Sequence, residues 1–332
     1  MLQVQAFTIC SNNYLAQATV LGKSLLQHNP LAKFSIILID RRSERINYEA
    51  LQDFELIHIE EIFPDAQRLA LKYNIIEFNT AVKPLVFQHF IAKDEKDSIF
   101  IYFDPDICIY NKLDPIIESL DTQQIVLTPH ILSPIVEDGC YPDDNAVLKF
   151  GIYNLGFLGV RKGTETIRML NWWKNHTFLK GYINLQKGQY TDQLPMGLAP
   201  VLFSDVDILK HPGLNMAPWN LHERFLDNGQ EEFILTTGEK LVFYHFSDFR
   251  PGEPLLLSKN GWYDRFTLEQ RRDLHRLYKE YSDDLLQSNY EVYSTVPCFY
   301  YPNKKTKENF KGLLIRGLKK MTRMLEKDSS IN

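Results

Sequence analysis

Asp104 and Asp106 stand two positions apart, around Pro105, directly after the apolar run Ile99-Phe100-Ile101-Tyr102-Phe103. On extended backbone such residues project to one side, with Cα atoms roughly 6.5–7 Å apart, and the intervening proline narrows the backbone choices. Two hard oxygen ligands on one side suit Mg²⁺ or Mn²⁺, which keep coordination positions open for phosphate oxygens. Such a cation neutralises the charge that develops on a departing diphosphate. A solvated acidic turn has the same residues, and the buried strand in front of them favours the metal.

The elements that must position this pair alternate between strand and helix. Apolar runs at Val4–Cys10, Phe34–Ile39, Phe54–Ile59 and Ser98–Phe103 read as strands, and Tyr14–His28 and Val82–Ile91 as helices. The alternation predicts an α/β fold with a mainly parallel sheet, which binds ligands at the carboxyl ends of its strands. Beyond Asp106, strands are expected at Ile107–Tyr110, Ile125–Thr128, Tyr153–Val160 and Leu241–Phe246. Helices are expected at Thr164–His176 and Phe266–Leu286, and Pro129–Asp144 reads as a functional loop.

The 332 residues carry a net charge of −5, distributed unevenly. From Lys304 to Asn332 nine Lys and Arg face three Asp and Glu, which leaves an acidic body and argues against nucleic acid as a partner. In the segment 304–332, Phe310, Leu313, Leu314, Leu318, Met321, Met324 and Leu325 fall on one helical face, and Arg316, Lys319, Lys320, Arg323 and Lys327 on the other. That pattern suits peripheral contact with an anionic membrane, or an ordinary helix docked on the body of the protein or on a partner chain. Cys10, Cys108, Cys140 and Cys298 form no close pair, and the chain opens directly on a strand. A cytoplasmic location is therefore expected, peripheral on the inner face of the membrane if the tail binds there.

Several stretches together resemble the glycogenin-like and LgtC-like retaining glycosyltransferases of family 8, which have the GT-A fold. They are Ser11-Asn12-Asn13-Tyr14 followed by Val20-Leu21-Gly22-Lys23-Ser24-Leu25, then Thr80-Ala81-Val82-Lys83-Pro84 before the acidic pair. After it come Tyr153-Asn154-Leu155-Gly156-Phe157, Asp192-Gln193 and His245-Phe246-Ser247. The resemblance covers about residues 4 to 250. It implies transfer of a sugar from a nucleotide-diphospho-sugar, a UDP-sugar in the first instance, to a saccharide or lipid-linked saccharide. It implies that Asn12 and Tyr14 hold base and ribose, and that Lys83 lies on the donor phosphates or sugar. Asp104, Asp106 and His245 would bind Mn²⁺ or Mg²⁺, with Asp104 also on the donor side. Asn154, Asp192 and Gln193 would face the transferred sugar, the last two as the catalytic pair.

Each position also has a plainer reading. Tyr14 could be a core ring, Lys83 a surface charge, His245 a satisfied core histidine and Asp192 a helix cap. The chain departs from the family after His245: Asp248 stands where a glycine is usual, and Arg250 is available to replace the phosphate-binding lysine. Met216–Arg224 concentrates Trp, Asn, His, Glu and Arg, and makes Trp219, Asn220 and His222 candidates for acceptor binding. The expected organisation is a GT-A domain over 1–250, a helical extension over 251–303 and the basic tail over 304–332. Retention of anomeric configuration is expected; an inverting enzyme would need a base, for which Asp138, Asp143, Asp144, Glu223 and Asp248 are the candidates. A sugar nucleotidyltransferase is disfavoured, since no basic glycine-rich loop follows the first strand. A glycoside hydrolase would need neither metal nor nucleotide, and a binding scaffold would show no turnover.

Overall fold

In the computed structural model, which describes residues 3–229, 231–252, 257–258 and 263–301, strands and helices alternate through the first hundred residues. These are β1 (Val4–Cys10), α1 (Leu15–His28), β2 (Lys33–Leu38), β3 (Glu55–His58), α2 (Lys83–Lys93) and β4 (Ile99–Phe103). The chain continues through β5 (Ile107–Ile109), α3 (Asp114–Thr122), β6 (Ile125–Leu127), β7 (Phe157–Arg161) and α4 (Thr164–Lys180). It then forms β8 (Val206–Ile208), β9 (Phe243–His245) and α5 (His275–Gln287). A seven-stranded sheet runs in the order β8-β6-β7-β4-β1-β2-β3. It is mainly parallel, with β7 reversed against both β4 and β6.

Strand periodicity divides the core in two. Along β1, Val4 and Ala6 face one apolar cluster, and Phe7 and Ile9 the other. The first cluster is covered by α1 and α5, the second by α2 and α4. Residues of the extension, among them Leu268, Leu277 and Tyr281, therefore share a core with β1 and α1. No helix among the described residues is long and apolar enough to cross a membrane. The tail helix expected over 304–332 lies outside the described residues.

The structure corrects several boundaries. Tyr153–Gly156 is not strand: Pro129 and Tyr153 form an isolated bridge, and β7 begins only at Phe157. The helix expected from Phe266 starts at His275, after a 3₁₀ turn at Arg272–Leu274. Three short helices, Ile59–Ile62, Ala66–Lys72 and Ile75–Ala81, lie between β3 and α2; Asn74 caps the last by accepting from Ile76 and Glu77 N–H.

Candidate active site

β4 ends on Phe103, and the backbone N–H of Asp104 donates to the carbonyl of Gly156 at 2.7 Å. Three residues after Asp104, β5 begins and pairs antiparallel with β9, which places His245 opposite Ile107. The Phe246 N–H donates to the Asp106 carbonyl at 2.8 Å, and the His245 N–H to the Met216 carbonyl at 2.8 Å. Main-chain pairing thus brings a histidine from far along the chain onto the acidic pair. Its Nε2 lies 3.1 Å from Asp106 Oδ1 and 3.8 Å from Asp104 Oδ2. One ligand atom from each of Asp104, Asp106 and His245 falls within 4.8 Å of the others.

Gly156 completes the cradle. A Cβ there would meet His245 Cε1 at 2.5 Å, Asn154 Oδ1 at 2.7 Å and Asp104 Oδ2 at 2.9 Å, so only glycine leaves the space open. Two carboxylates and an imidazole are a hard-to-borderline donor set that suits Mn²⁺ or Mg²⁺. Burial opposes protonation of His245, but Asp106 and Asp104 outweigh it and hold the imidazole above its ordinary range. A ligating His must be neutral, so a cation competes with this proton. Cation affinity is therefore expected to rise about tenfold per pH unit up to the raised His245 pKa and then level off. Calorimetric Mn²⁺ titration between about pH 6 and 8 checks this; an affinity independent of pH contradicts it.

Beside this cluster Lys83, at the start of α2, is a buried cation 2% exposed. Its Nζ donates to the Leu155 carbonyl at 2.8 Å and lies 3.0 Å from Asp192 Oδ2 and 3.5 Å from Asp104 Oδ1. It also sits over the Tyr102 ring at 4.3 Å, and the Tyr102 hydroxyl donates to Asp104. Burial alone would lower the Lys83 pKa; Asp104 and Asp192 reverse this and keep the ammonium charged. Burial raises the pKa of Asp192 against the opposing pull of Lys83. Asp192 caps no helix: the next 3₁₀ turn has Gln193 at its N-cap, without a side-chain cap. It follows Thr191, a β-branched residue at φ 46°, in the left-handed region that such side chains avoid. Strain of this kind persists only where the surroundings over-determine it, and it clusters at functional sites.

Asn154 lies between these groups and a buried amide network. Its Nδ2 donates to His130 Nε2 at 3.2 Å, and its Oδ1 accepts from Gly156 N and Asn215 Nδ2, both at 3.2 Å. Burial pushes the His130 pKa down to about 4, which keeps Nε2 a neutral acceptor. Gln193 is held at both ends of its amide. Its Oε1 accepts from Leu155 N at 3.0 Å and its Nε2 donates to the Phe150 carbonyl at 3.0 Å.

On the other flank Asn12 is buried and ties together the ends of β1 and β2. Its N–H donates to Asp40 Oδ2 at 3.2 Å and its Nδ2 to the Arg41 carbonyl at 2.8 Å. Tyr14 is 40% exposed, so it is not a core ring, but its hydroxyl points inward and is held above its ordinary range first by burial and then by the charges of Asp106 and Asp248, which Arg250 opposes. Asp248 has φ 61°, the left-handed conformation that a glycine adopts freely and Asp tolerates. The departure from the family pattern therefore keeps a backbone shape that glycine favours. Arg250 is exposed.

The Met216–Arg224 stretch is largely a staple. Asn220, fully buried, accepts from Ala217 N and donates to the carbonyls of His130 and Asn215. Glu223 accepts from the N–H groups of Leu132 and Ser133, and Arg224 donates to the carbonyls of Pro212 and Leu214. His222 lies 3.4 Å from the Ser133 carbonyl. Trp219 packs edge-on against both His245 and His130, at 5.1 and 5.4 Å between ring centroids, and so walls the Asp104–Asp106–His245 cluster. Sequence reasoning missed His130 and Asn215 because each acts through a partner distant in the chain, and Tyr102 because it reads as one more apolar residue of β4 although its hydroxyl meets Asp104.

No protein-family model matches the chain. Two proteins of Bacillus subtilis (strain 168) are similar to it. The uncharacterized protein YfnF is 25% identical over 249 residues, covering 73% of this chain and 80% of its own. The uncharacterized protein YfnD is 24% identical over 303 residues, covering 88% and 92%. Among solved structures, the galactosyltransferase LgtC in complex with donor and acceptor sugar analogues aligns with a TM-score of 0.49 and 14% identity, over 85% of this chain and 95% of its own. The glycosyltransferase GlyE of Streptococcus pneumoniae TIGR4 aligns with a TM-score of 0.47 and 13% identity, over 88% and 64%.

Proposed function

We propose that the protein transfers a sugar from a nucleotide-diphospho-sugar to a saccharide or lipid-linked saccharide, with a divalent cation held by Asp104, Asp106 and His245. The convergence of these three side chains, two from the turn after β4 and one from β9, next to the buried Lys83–Asp192 pair, carries the reading. Mn²⁺ or Mg²⁺ bound there would neutralise the charge that builds on the leaving diphosphate. Lys83 fixes the carboxylates of Asp104 and Asp192 relative to each other. Asp192 sets a negative charge where a sugar developing positive charge at its anomeric carbon is stabilised. Asn154 and Gln193 order the main chain from Asn154 to Gly156 on the sugar's side. Asn12, Tyr14 and Arg250 serve the nucleotide, Trp219 and His222 the acceptor, and Asn220 holds the loop that presents them.

The candidate bases for an inverting reaction are each engaged elsewhere, which supports retention. Asp138 pairs with Arg265, Asp143 caps the Ala146 N–H at 2.8 Å, and Asp144 accepts from Ile135 N at 3.4 Å. Glu223 is bound to the main chain at Leu132 and Ser133, and Asp248 accepts from Ser258 at 3.3 Å. A panel of nucleotide-sugars with Mn²⁺, scored for nucleoside diphosphate release, tests the function. Release from at least one donor is expected, and release from none counts against it. Proton NMR of the isolated product then reports the anomeric configuration; an inverted linkage refutes the retaining part alone.

A further inference from the structure

The loop after β2 carries three arginines, Arg41, Arg42 and Arg45, on a protein whose net charge is −5. Each is occupied in a specific way. The Arg41 guanidinium lies 3.9 Å over the ring of Phe299, and that of Arg42 lies 4.9 Å over Tyr48. Arg45 donates to the Thr295 hydroxyl at 2.6 Å. The C-terminal segment is thus strapped across the carboxyl end of β2, and Asp40 is its anchor: one carboxylate oxygen accepts from Phe299 N at 2.7 Å, the other from Asn12 N at 3.2 Å. Tyr48 closes the circle by donating to Asn12 Oδ1 at 2.6 Å. The Arg41 side chain and Phe299 nevertheless stay open to solvent, 53% and 45% exposed.

The placement gives this exposed stack a ligand. Asp104 follows β4, Asn12 follows β1 and Arg41 follows β2, and the three strands are consecutive in the sheet. The stack therefore stands two strand spacings, roughly 10 Å, from the acidic pair along the binding edge. A nucleotide with its phosphates at Asp104 and Asp106 that lay along this edge, past Asn12, would bring its base onto the stack. A planar guanidinium backed by an aromatic ring offers a flat, polarisable face on which any base can stack. Resting on the donor reading above, we propose that Arg41 and Phe299 form a shelf for the nucleobase of the donor, with the C-terminal strap supplying its aromatic half.

The test measures binding of UDP, GDP, CDP and ADP, each with Mn²⁺, and of inorganic pyrophosphate with Mn²⁺, which has the phosphates without the base. The wild-type protein is expected to bind one nucleoside diphosphate more tightly than pyrophosphate. Arg41→Ala and Phe299→Ala should each weaken that nucleotide about tenfold, the usual scale for losing one stacking partner. Pyrophosphate affinity should stay within about twofold. Arg41→Ala, on an exposed loop, serves as the variant least exposed to misfolding. An unchanged nucleotide affinity in Arg41→Ala overturns the shelf, as does a parallel fall for pyrophosphate, which would mark a merely structural strap. Wild-type protein that binds nucleotide no better than pyrophosphate also overturns the shelf and leaves the cation site standing. Wild-type protein that binds neither removes the donor reading together with it.

Discussion

Asp106→Ala is expected to lower sugar transfer by about three orders of magnitude or more, equivalent to ~4 kcal/mol of transition-state stabilisation. Asp106 places a carboxylate oxygen 3.1 Å from His245 Nε2, and its carbonyl is held separately by Phe246 N–H. Truncating the side chain therefore removes the ligand and leaves the β5–β9 pairing in place. Circular dichroism and thermal melting should match the wild type while turnover disappears. A variant that retains wild-type turnover, or a wild-type enzyme that works in EDTA, contradicts the assignment.

Lys83→Met has the largest expected effect on stability. Methionine fills similar space, but Asp192 is then buried at 2% exposure without the ammonium that faced it at 3.0 Å. Breaking a buried pair from one side costs about 3–5 kcal/mol, because the remaining charge is left uncompensated. The pH dependence gives a second readout. Burial already raises the Asp192 pKa in the presence of Lys83, and losing Lys83 raises it further. The native variant then holds a proton that the unfolded chain releases, so its stability should increase as pH falls from neutrality towards the ordinary carboxylate range. Denaturant melts at about pH 7.5 and pH 5 measure this. A variant as stable as wild type at both would demote Lys83 from its central place.

Much of the fold was legible because its strands are short, apolar and β-branched: β1, β2 and β4 lie within one or two residues of their expected bounds. The acidic pair was legible for the same reason, since its meaning came from the buried strand ahead of it. The Lys83 pairing was not. A lysine on an amphipathic helix normally points to solvent, and nothing local reveals that Asp192 and Leu155 meet it. Met216–Arg224 shows the converse. Its polar composition reads as a binding surface, yet Asn220, Glu223 and Arg224 spend their hydrogen bonds on the main chain of neighbouring loops. Tyr153–Gly156 reads as strand because its apolar residues continue β7. The bend that frees Asn154 and Gly156 depends on contacts with Thr128 and Asn215 that lie far away in sequence.

The most direct test of the central claim is Mn²⁺ binding, followed by calorimetry on the full chain near pH 7.5. The account predicts one site in the wild-type protein, its loss in Asp106→Ala, and weaker binding in His245→Ala with the fold preserved. Binding that survives unchanged in Asp106→Ala, or a wild-type chain that binds no Mn²⁺ with or without a nucleoside diphosphate, would contradict it.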